Sequence, residues 1–219
     1  AAHLAAAIKT PMAGYPAYSL LTGFIGTAWI SKALSDNGMS EEAYRLLQYE
    51  GYPSWLYPVK NGATTIWERL NSYTVKDGFG ENNSMNSFNH YSFGAVASWM
   101  YNYSLGICRD EKSPGFKHFI LKPEVDPTRG ITHAEGYYDS MYGRIRSRWQ
   151  YTDSGIRYEF TVPANTTASL YLPAPAVSFI SENRKTMKKA SGVRYVSADK
   201  ELHHLELASG SYQFDIKQK

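Results

Sequence analysis

Pro114-Gly-Phe-Lys-His-Phe-Ile-Leu121 is the stretch at which the hydrophobic period of this sequence changes. Before it, apolar residues recur at the three-to-four-residue spacing of helices. The pair Pro114-Gly115 breaks that pattern, and Phe116–Leu121 begins an alternation of period two that is typical of β-strands. We therefore predict a two-domain α+β chain, with a helical part at residues 1–112 and an antiparallel β-sandwich at residues 113–219.

The helical part is predicted to contain hairpins of two helices each. Thr22–Leu34 has apolar residues at helical spacing and is followed by Asn37-Gly38, a typical C-terminal cap. Ser40 is predicted to cap the next helix, which runs to Gly51. Phe88–Leu105 is predicted to be a long helix with apolar or small residues on two faces. Such a helix suits the inner ring of a helical barrel better than a surface position.

The second part is predicted to consist of short strands. The turn at Asp153–Gly155 joins Tyr142–Tyr151 to Arg157–Val162 as a β-hairpin. Further candidate strands are Ala168–Leu172, Val177–Ser181, His204–Leu207 and Ser211–Ile216. Many short strands separated by Pro, Gly and Asn turns favour a β-sandwich.

Charge and cysteine content exclude several classes of protein. The formal net charge is only +3, and no basic run accompanies stacking aromatics, which argues against a nucleic-acid partner. The single cysteine, Cys108, excludes an intrachain disulfide and a thiolate metal cluster, and no zinc or phosphate-loop motif is present. No apolar run approaches about 18 residues, so no membrane span is predicted. We expect no metal and no cofactor.

Three arginines lie on one face of a predicted strand. Arg144, Arg146 and Arg148 are two residues apart, so their side chains point to the same side of the sheet. We interpret them as a solvated face, with an anionic partner as the alternative.

The candidate site lies in the aromatic stretch Tyr52–Leu70. It contains Trp55 and Trp67, and its only carboxylate is that of Glu68. Trp and Tyr rings offer apolar faces with one polar tip, which suits a sugar ring, and a carboxylate beside them is a candidate for acid/base chemistry. Thr64 or Thr65 is predicted to cap a short helix that carries Glu68. The alternative is that Trp67 packs in the core and Glu68 is solvated.

Several motifs together resemble one family. Thr22-Gly-Phe-Ile-Gly-Thr27, Tyr52-Pro-Ser-Trp55, Gly62-Ala-Thr-Thr-Ile-Trp-Glu-Arg69 and Ser87-Phe-Asn-His-Tyr91 come in the order and spacing of the α-L-rhamnosidases of glycoside hydrolase family 78. So do the later Pro114-Gly-Phe116, Pro163-Ala-Asn-Thr-Thr-Ala168 and Tyr171-Leu-Pro173. The resemblance extends from about Thr22 to the C-terminus.

This resemblance implies the last hairpins of an (α/α)6 catalytic barrel followed by a C-terminal β-sandwich. It implies an inverting hydrolase of terminal α-L-rhamnosides, with Glu68 as the general base and His90 in contact with the bound sugar. Trp67 and Trp55 are candidate substrate-binding residues. The family's general acid belongs to an earlier acidic segment, and no such pattern is present in these 219 residues. We therefore expect the chain to need the N-terminal half of the same protein, and to be inactive alone.

Two other interpretations stay open. The chain could act as a non-catalytic carbohydrate-binding or stabilising module, or be a fragment with no independent role. The substrate class suggests a secreted or periplasmic protein, whose signal would precede this chain. The expected partner is a rhamnose-containing carbohydrate.

Overall fold

The computed structural model describes residues 2–80 and 86–217, which form two compact units. The first unit comprises Ala1–Trp99 and Asp126–Gly130, and the second comprises Met100–Val125 and Ile131–Lys219. The first is helical and the second is built from β-sheets. The predicted two-domain α+β class is confirmed. The boundary between residues 112 and 113 stays a prediction. The Gly- and Asn-rich sequence of residues 71–86 predicts a loop, and residues 81–85 of it lie outside the described residues.

In its described ranges, the first unit contains five short helices and a sixth that follows a 3-10 turn. They are α1 (Ala2–Lys9), α2 (Gly23–Thr27), α3 (Ile30–Ser35), α4 (Ser40–Gln48), α5 (Leu56–Lys60) and, after a 3-10 turn at Tyr91–Ala95, α6 (Val96–Trp99). The helix predicted over 22–34 is therefore interrupted at Ala28 and Trp29. Gly26 accepts a tight hydrogen bond from the Trp29 amide at 3.0 Å, and glycine lowers helix propensity around it.

Helices α3 and α4 form the predicted hairpin. Gly38 adopts the left-handed φ of +73°, and the amide of Met39 donates to the carbonyl of Leu34, as in a helix C-terminal cap. The prediction for Ser40 was wrong, because Met39 occupies the N-cap position. The Ser40 hydroxyl instead donates to Ser35 Oγ across the hairpin at 2.8 Å. Helix α4 also ends earlier than predicted, at Gln48.

Aromatic packing holds this hairpin to the helix near residue 99. Tyr44 is fully buried and meets the ring of Trp99 edge to face at 5.0 Å. The Trp99 Nε1–H donates to Ser35 Oγ at 2.9 Å. Leu34 and Leu46 complete the buried cluster. Burial of side chains of this size stabilises the unit by about 1.5–3 kcal/mol each.

The helix predicted over 88–105 is shorter and irregular. It begins with the 3-10 turn, continues as α6 and ends as a π-helix at Met100–Ser104. Its first residue, Tyr91, is 86% exposed, so the expectation that both apolar faces of this helix are buried is wrong at this end. Residues 87–90, which precede the 3-10 turn, pair with residues 65–68 and so do not join the helix.

Among the residues that the structure describes, the second unit contains eleven strands. They are β1 (Ile107–Arg109), β2 (His118–Leu121), β3 (His133–Ser140), β4 (Gly143–Thr152), β5 (Gly155–Val162), β6 (Thr167–Pro173), β7 (Ile180–Glu182), β8 (Lys185–Thr186), β9 (Val193–Asp199), β10 (Leu202–Leu207) and β11 (Gly210–Lys217). One sheet has the order β1-β2-β6-β10-β9 and the other the order β3-β4-β5-β11-β7-β8.

Pairing is antiparallel except between β2 and β6. Those two strands run parallel because β3, β4 and β5, which separate them in the chain, belong to the other sheet. The predicted hairpin is confirmed, since Thr152 pairs with Gly155 across a two-residue turn.

Each sheet buries one alternating set of side chains, as expected for a β-sandwich. On β4 and β5 the fully buried residues include Ile145, Trp149 and Tyr158. On the other sheet Leu170 of β6 and Leu205 of β10 are fully buried. Trp149 also donates its Nε1–H to the carbonyl of residue 104 at 2.8 Å, so its one polar atom is satisfied.

Candidate active site

Glu68 does not lie in a helix, and the predicted helix capped by Thr64 or Thr65 is wrong. The Thr65 hydroxyl donates to the carbonyl of Phe88 instead. The amide of Glu68 donates to the Ser87 carbonyl and the amide of His90 donates to the Ile66 carbonyl, both at 2.8 Å. The backbone of residues 65–68 is therefore paired with residues 87–90, which removes the hydrogen bonds that a helix would need.

A reciprocal pair of hydrogen bonds fixes the Glu68 carboxylate. Its Oε2 accepts from the amide of Ser87 at 2.8 Å, while its own amide donates to the Ser87 carbonyl. Within the described chain, Oε1 has no hydrogen-bond partner. One carboxylate oxygen is thus held by the backbone, and the other remains available to a ligand or water.

Glu68 lines a cavity of about 390 Å³ in the first unit. This volume lies within the range of small-ligand sites. The cavity wall also carries the guanidinium of Arg69 and the phenols of Tyr15 and Tyr52. Among its described lining residues, Glu68 is the only carboxylate.

Tyr52 lies in a cluster of phenols beside this cavity. Its ring meets Tyr15 at 5.8 Å and Tyr57 at 5.3 Å, both edge to face. Burial raises the pKa of Tyr52, and the neighbouring phenols of Tyr15 and Tyr57 raise it further. The Tyr52 hydroxyl therefore keeps its proton and can donate a hydrogen bond.

His90 lies behind one wall of the cavity. Its ring stacks on Phe24 at 4.7 Å, and Phe24 lines the cavity. The amide of Ser92 donates to His90 Nδ1 at 3.4 Å, which leaves Nε2 to carry the proton in the neutral ring. The structure thus brings Glu68 and His90 to the same part of the unit, but only Glu68 is on the lining.

Trp55 and Trp67 are both buried, 8% and 7% exposed respectively. Trp55 donates its Nε1–H to the carbonyl of Phe93 at 2.8 Å, and Phe93 lines the cavity. Trp67 packs edge to face on Phe88 at 5.3 Å. Neither tryptophan is on the cavity lining. Their predicted contact with a sugar stays a prediction.

Sequence reasoning names only Glu68 as a site residue among those that line the cavity, and it misses Phe24, Arg69 and Tyr15 among others. Phe24 lies in the motif of residues 22–27 and Arg69 in the motif of residues 62–69, but the sequence assigns neither a role. Tyr15 lies in no motif, and no signal in the sequence points to it, because only the fold brings it to Tyr52.

Two family models match this chain. Residues 5–104 match the bacterial α-L-rhamnosidase six-hairpin glycosidase domain, and residues 106–187 match the bacterial α-L-rhamnosidase C-terminal domain. The chain belongs to the α-L-rhamnosidase family. The predicted resemblance is confirmed.

Curated α-L-rhamnosidases are similar to nearly the whole chain. The protein of Streptomyces avermitilis is 35% identical over 91% of this chain, which is 18% of its own length. The protein of Alteromonas sp. (strain LOR) is 36% identical over 90% of this chain and 20% of its own length. The chain therefore spans about a fifth of the length of these relatives.

Solved α-L-rhamnosidases share the fold. The crystal structure of the Streptomyces avermitilis enzyme complexed with L-rhamnose matches with a TM-score of 0.80 and 34% identity, over 91% of this chain and 18% of that one. The structure of the enzyme from Dictyoglumus thermophilum matches with a TM-score of 0.75 and 28% identity, over 92% of this chain and 21% of that one. These α-L-rhamnosidases are glycoside hydrolases, as the sequence predicted.

In residues 2–80 and 86–217, no cluster of three or more His, Cys, Asp or Glu side chains could hold a metal ion. Over the same ranges, no helix is long and apolar enough to cross a membrane.

Proposed function

We propose that this chain is the C-terminal part of an inverting α-L-rhamnosidase that removes terminal α-L-rhamnose from glycosides or polysaccharides, with Glu68 as its general base. The observation that carries the proposal is the Glu68 carboxylate, which lines a ligand-sized cavity and is held through one oxygen by the Ser87 amide. The similarity to α-L-rhamnosidases over about nine-tenths of the chain supports α-L-rhamnose as the sugar that is removed.

Inversion uses one carboxylate to activate water and one carboxylic acid to protonate the leaving oxygen. The two groups stand about 6.5–9.5 Å apart so that water fits on the far side of the ring. In this scheme Glu68 Oε1 takes a proton from water while the water oxygen bonds to the anomeric carbon. The bond to the glycosidic oxygen breaks, and that oxygen takes its proton from the acid.

We propose that the general acid lies in a part of the protein outside these 219 residues. In support, Glu68 is the only carboxylate among the described lining residues. The α-L-rhamnosidases that match are also about five times longer than this chain. Residues 1–112 are then the last hairpins of the catalytic barrel, and residues 113–219 are the C-terminal sandwich.

The other site residues are assigned by their contacts with the cavity wall and with the segment that carries Glu68. We propose that His90 uses its Nε2–H to bind a sugar hydroxyl at the edge of the ring of Phe24. Trp55 acts through Phe93, whose backbone it holds, and Trp67 acts through the segment that carries Glu68. A secreted or periplasmic location follows from a glycoside or polysaccharide substrate.

The test is the Glu68→Gln substitution in the complete enzyme. Loss of the base should lower kcat by roughly 10²–10⁴-fold and change KM little, because the amide keeps the shape of the side chain and loses only proton transfer. Release of p-nitrophenol from p-nitrophenyl α-L-rhamnoside measures both constants. Glu50→Gln, which alters an exposed carboxylate paired with Lys60, is the matched control and should keep wild-type kcat.

Two results would contradict the proposal. One is a Glu68→Gln enzyme with nearly full kcat. The other is proton NMR of the first product formed, if it shows α-L-rhamnose instead of the inverted β-anomer. The first result would remove Glu68 from the chemistry, and the second would remove the inverting mechanism.

A further inference from the structure

A second cavity of the helical unit lies at the end of α4. Its volume is about 270 Å³, and it is lined by Tyr18, Arg45, Gln48, Tyr49 and Thr128. All five residues belong to the first unit, and none of them lines the proposed catalytic cavity. We call it the tyrosine cavity. Its volume is just below the roughly 300–1,000 Å³ of pockets for drug-sized ligands, so it suits one small ring.

Both tyrosines offer groups that no other part of the described chain uses. Tyr18 and Tyr49 are half-buried. In the ranges that the structure describes, neither ring stacks on another aromatic ring, and neither hydroxyl takes part in a hydrogen bond. A Cβ on Gly51 would lie 2.3 Å from Tyr49 Oη, so this glycine provides the room that the Tyr49 ring needs. The cavity therefore presents two phenols whose polar tips are available to a ligand.

Tyr18 has a backbone conformation that a bulky residue rarely adopts. Its φ is +62°, in the left-handed region, and its amide donates to the carbonyl of Ile8 at 2.7 Å. The surrounding structure has to maintain such a conformation, and residues of this kind cluster at ligand-binding and active sites. Glycine would adopt the same conformation without the steric penalty. A tyrosine at position 18 is therefore explained by the ring that it places on the cavity wall.

A buried carboxylate fixes the polar side of the cavity. Asp126 is fully buried, and its Oδ2 accepts from Gln48 Nε2 at 2.8 Å. Its Oδ1 accepts from the hydroxyl of Thr128 at 2.8 Å and from the amide of Thr128 at 2.9 Å. Gln48 and Thr128 thus keep their orientation without a ligand, which lowers the entropy cost of binding one.

The charges around the cavity do not select an ion of either sign. Arg45 is the only charged residue on the described lining, and its Nε and Nη2 both lie 2.9 Å from Glu41 Oε1. The hydrogen bond to Glu41 and the charges of Glu41, Tyr18 and Asp126 raise the pKa of Arg45, against the effect of burial. Its positive charge is therefore balanced by neighbouring groups. The cavity also lies at the C-terminal end of α4, the negative end of the helix dipole, which disfavours an anion.

We propose that the tyrosine cavity binds one neutral sugar residue, as a second contact between the enzyme and a glycoside or polysaccharide substrate. The rings of Tyr18 and Tyr49 cover the apolar C–H face of the sugar. The two phenol hydroxyls and the remaining Nη1 of Arg45 hydrogen-bond its hydroxyl groups. A sugar combines an apolar face and several hydroxyls in one small uncharged ring, as this wall requires. The choice of a sugar among small neutral ligands rests on the proposed function.

Hydrogen–deuterium exchange of the complete enzyme measures this binding, with L-rhamnose as the probe. L-Rhamnose is the product of the proposed reaction, so the enzyme does not consume it. Peptides covering residues 45–50 and 126–130 report on the tyrosine cavity, and peptides covering residues 66–72 report on the catalytic cavity. Saturating L-rhamnose should slow exchange in the first two peptides at least twofold. The concentration that gives half of this protection should change less than twofold between low and high salt, because the ligand is neutral.

Substitutions at the two tyrosines test the assignment of the site. Tyr49→Ala and Tyr18→Gly should each raise the half-protection concentration at the tyrosine cavity at least tenfold, and should leave that at the catalytic cavity within twofold. Tyr18→Gly should have a higher thermal midpoint than Tyr18→Ala, because glycine tolerates the left-handed backbone, so it remains usable if Tyr18→Ala does not fold. Tyr101→Ala is the matched control, since Tyr101 is 43% exposed in the second unit and should alter neither cavity.

Several outcomes would overturn the proposal. One is the absence of protection at residues 45–50 and 126–130, whether the cavity stays empty or another part of the protein covers it. Another is an equal loss in Tyr49→Ala and Tyr101→Ala. Equal protection by glycerol, which has hydroxyls but no ring, would overturn the sugar class, and tighter binding of galacturonate would overturn the neutral class. Because this protection is read without hydrolysis and apart from the catalytic cavity, its failure leaves the Glu68→Gln result untouched, and an inactive catalytic site would leave this binding intact.

Discussion

At the scale of single residues, the backbone positions the proposed catalytic group. The Glu68 carboxylate accepts a hydrogen bond from the amide of Ser87, and the amide of Glu68 donates to the carbonyl of Ser87. A backbone donor cannot rotate away as a side-chain donor can, so the carboxylate stays oriented whatever residue stands at position 87. Proline is the exception, since it lacks the donor.

Trp55 should contribute to stability through its indole nitrogen. Trp55→Phe leaves the buried carbonyl of Phe93 without its 2.8 Å donor, so the free energy of unfolding should fall by about 1–3 kcal/mol. Trp29→Phe is the control, because Trp29 is 61% exposed and should change stability by less than about 0.5 kcal/mol. Urea denaturation followed by circular dichroism compares the two variants. Equal effects would mean that the indole hydrogen bond does not matter.

Glu42 should make the helical unit sensitive to acid. Burial acts to raise the pKa of Glu42, but the hydrogen bond from Lys9, the hydrogen bond from its own backbone amide and the charges of Lys9 and Arg45 together outweigh burial and lower the pKa below the ordinary 4.5. A carboxyl with a lowered folded-state pKa contributes stability above its unfolded pKa and loses it as the pH falls through the folded pKa. Wild-type stability should therefore fall on acidification below about pH 4.5 more than that of Glu42→Gln.

Thermal midpoints at pH 7 and pH 3 measure this difference. The advantage of the wild type over Glu42→Gln should shrink at pH 3. Glu41→Gln is the neighbouring control, since Glu41 pairs with Arg45 on the exposed side of α4. An advantage that is the same at both pH values would show that the Lys9–Glu42 pair does not stabilise the fold.

At the scale of elements, the strands that the sequence does not predict share one position in the sheets. The four strands that it missed, β1, β3, β8 and β9, are the four edges of the two sheets. Edge strands have a neighbour on one side only, and β3 and β9 have no fully buried residue. Without one buried face, the alternation that marks a strand is weak. The strands inside each sheet are predicted because their apolar faces are buried. The strand predicted at Val177–Ser181 is wrong in its first part, because Val177–Phe179 is a 3-10 turn and β7 begins at Ile180.

Glycine 106 marks a close approach between two segments. It has a left-handed φ of +68°, and a Cβ there would lie 2.1 Å from the Pro123 nitrogen. Gly106→Ala should therefore destabilise the sheet unit by more than about 3 kcal/mol, since backbone atoms must move. Gly115→Ala is the control, with a left-handed φ of +92° and open space, and should cost about 1–2 kcal/mol.

Denaturant unfolding of the two glycine variants separates conformation from packing. The difference between them isolates the steric overlap, because both lose the same freedom at positive φ. If the two variants are equally stable, the approach of residues 106 and 123 is not a constraint on the fold.

At the scale of the whole molecule, we propose that the catalytic site is incomplete within these 219 residues. We predict that the purified chain does not release p-nitrophenol from p-nitrophenyl α-L-rhamnoside, because Glu68 is the only carboxylate among the described residues of its cavity. Inversion without an acid leaves the glycosidic oxygen without a proton donor. Turnover that Glu68→Gln abolishes would show a complete site and contradict this prediction.

The sequence by itself determined the class of the molecule and the family. The hydrophobic period changes at residues 114–116 because helices and strands bury different sets of side chains. A helix with one buried face repeats its apolar residues every three to four positions, and a half-buried strand repeats them every two. Linked motifs identified the α-L-rhamnosidase family and pointed to Glu68, because such motifs can be recognised from residue order alone.

Only the tertiary structure decided how the site is built. The pairing of residues 65–68 with residues 87–90 replaced the expected helix around Glu68. Burial of Trp55 and Trp67, and the approach of Tyr15 to Tyr52, depend on residues distant in the chain. Local propensity carries no information about such partners. The physical reason is that backbone hydrogen bonds and side-chain burial are satisfied by whichever groups the fold brings near, and those groups need not be neighbours in sequence.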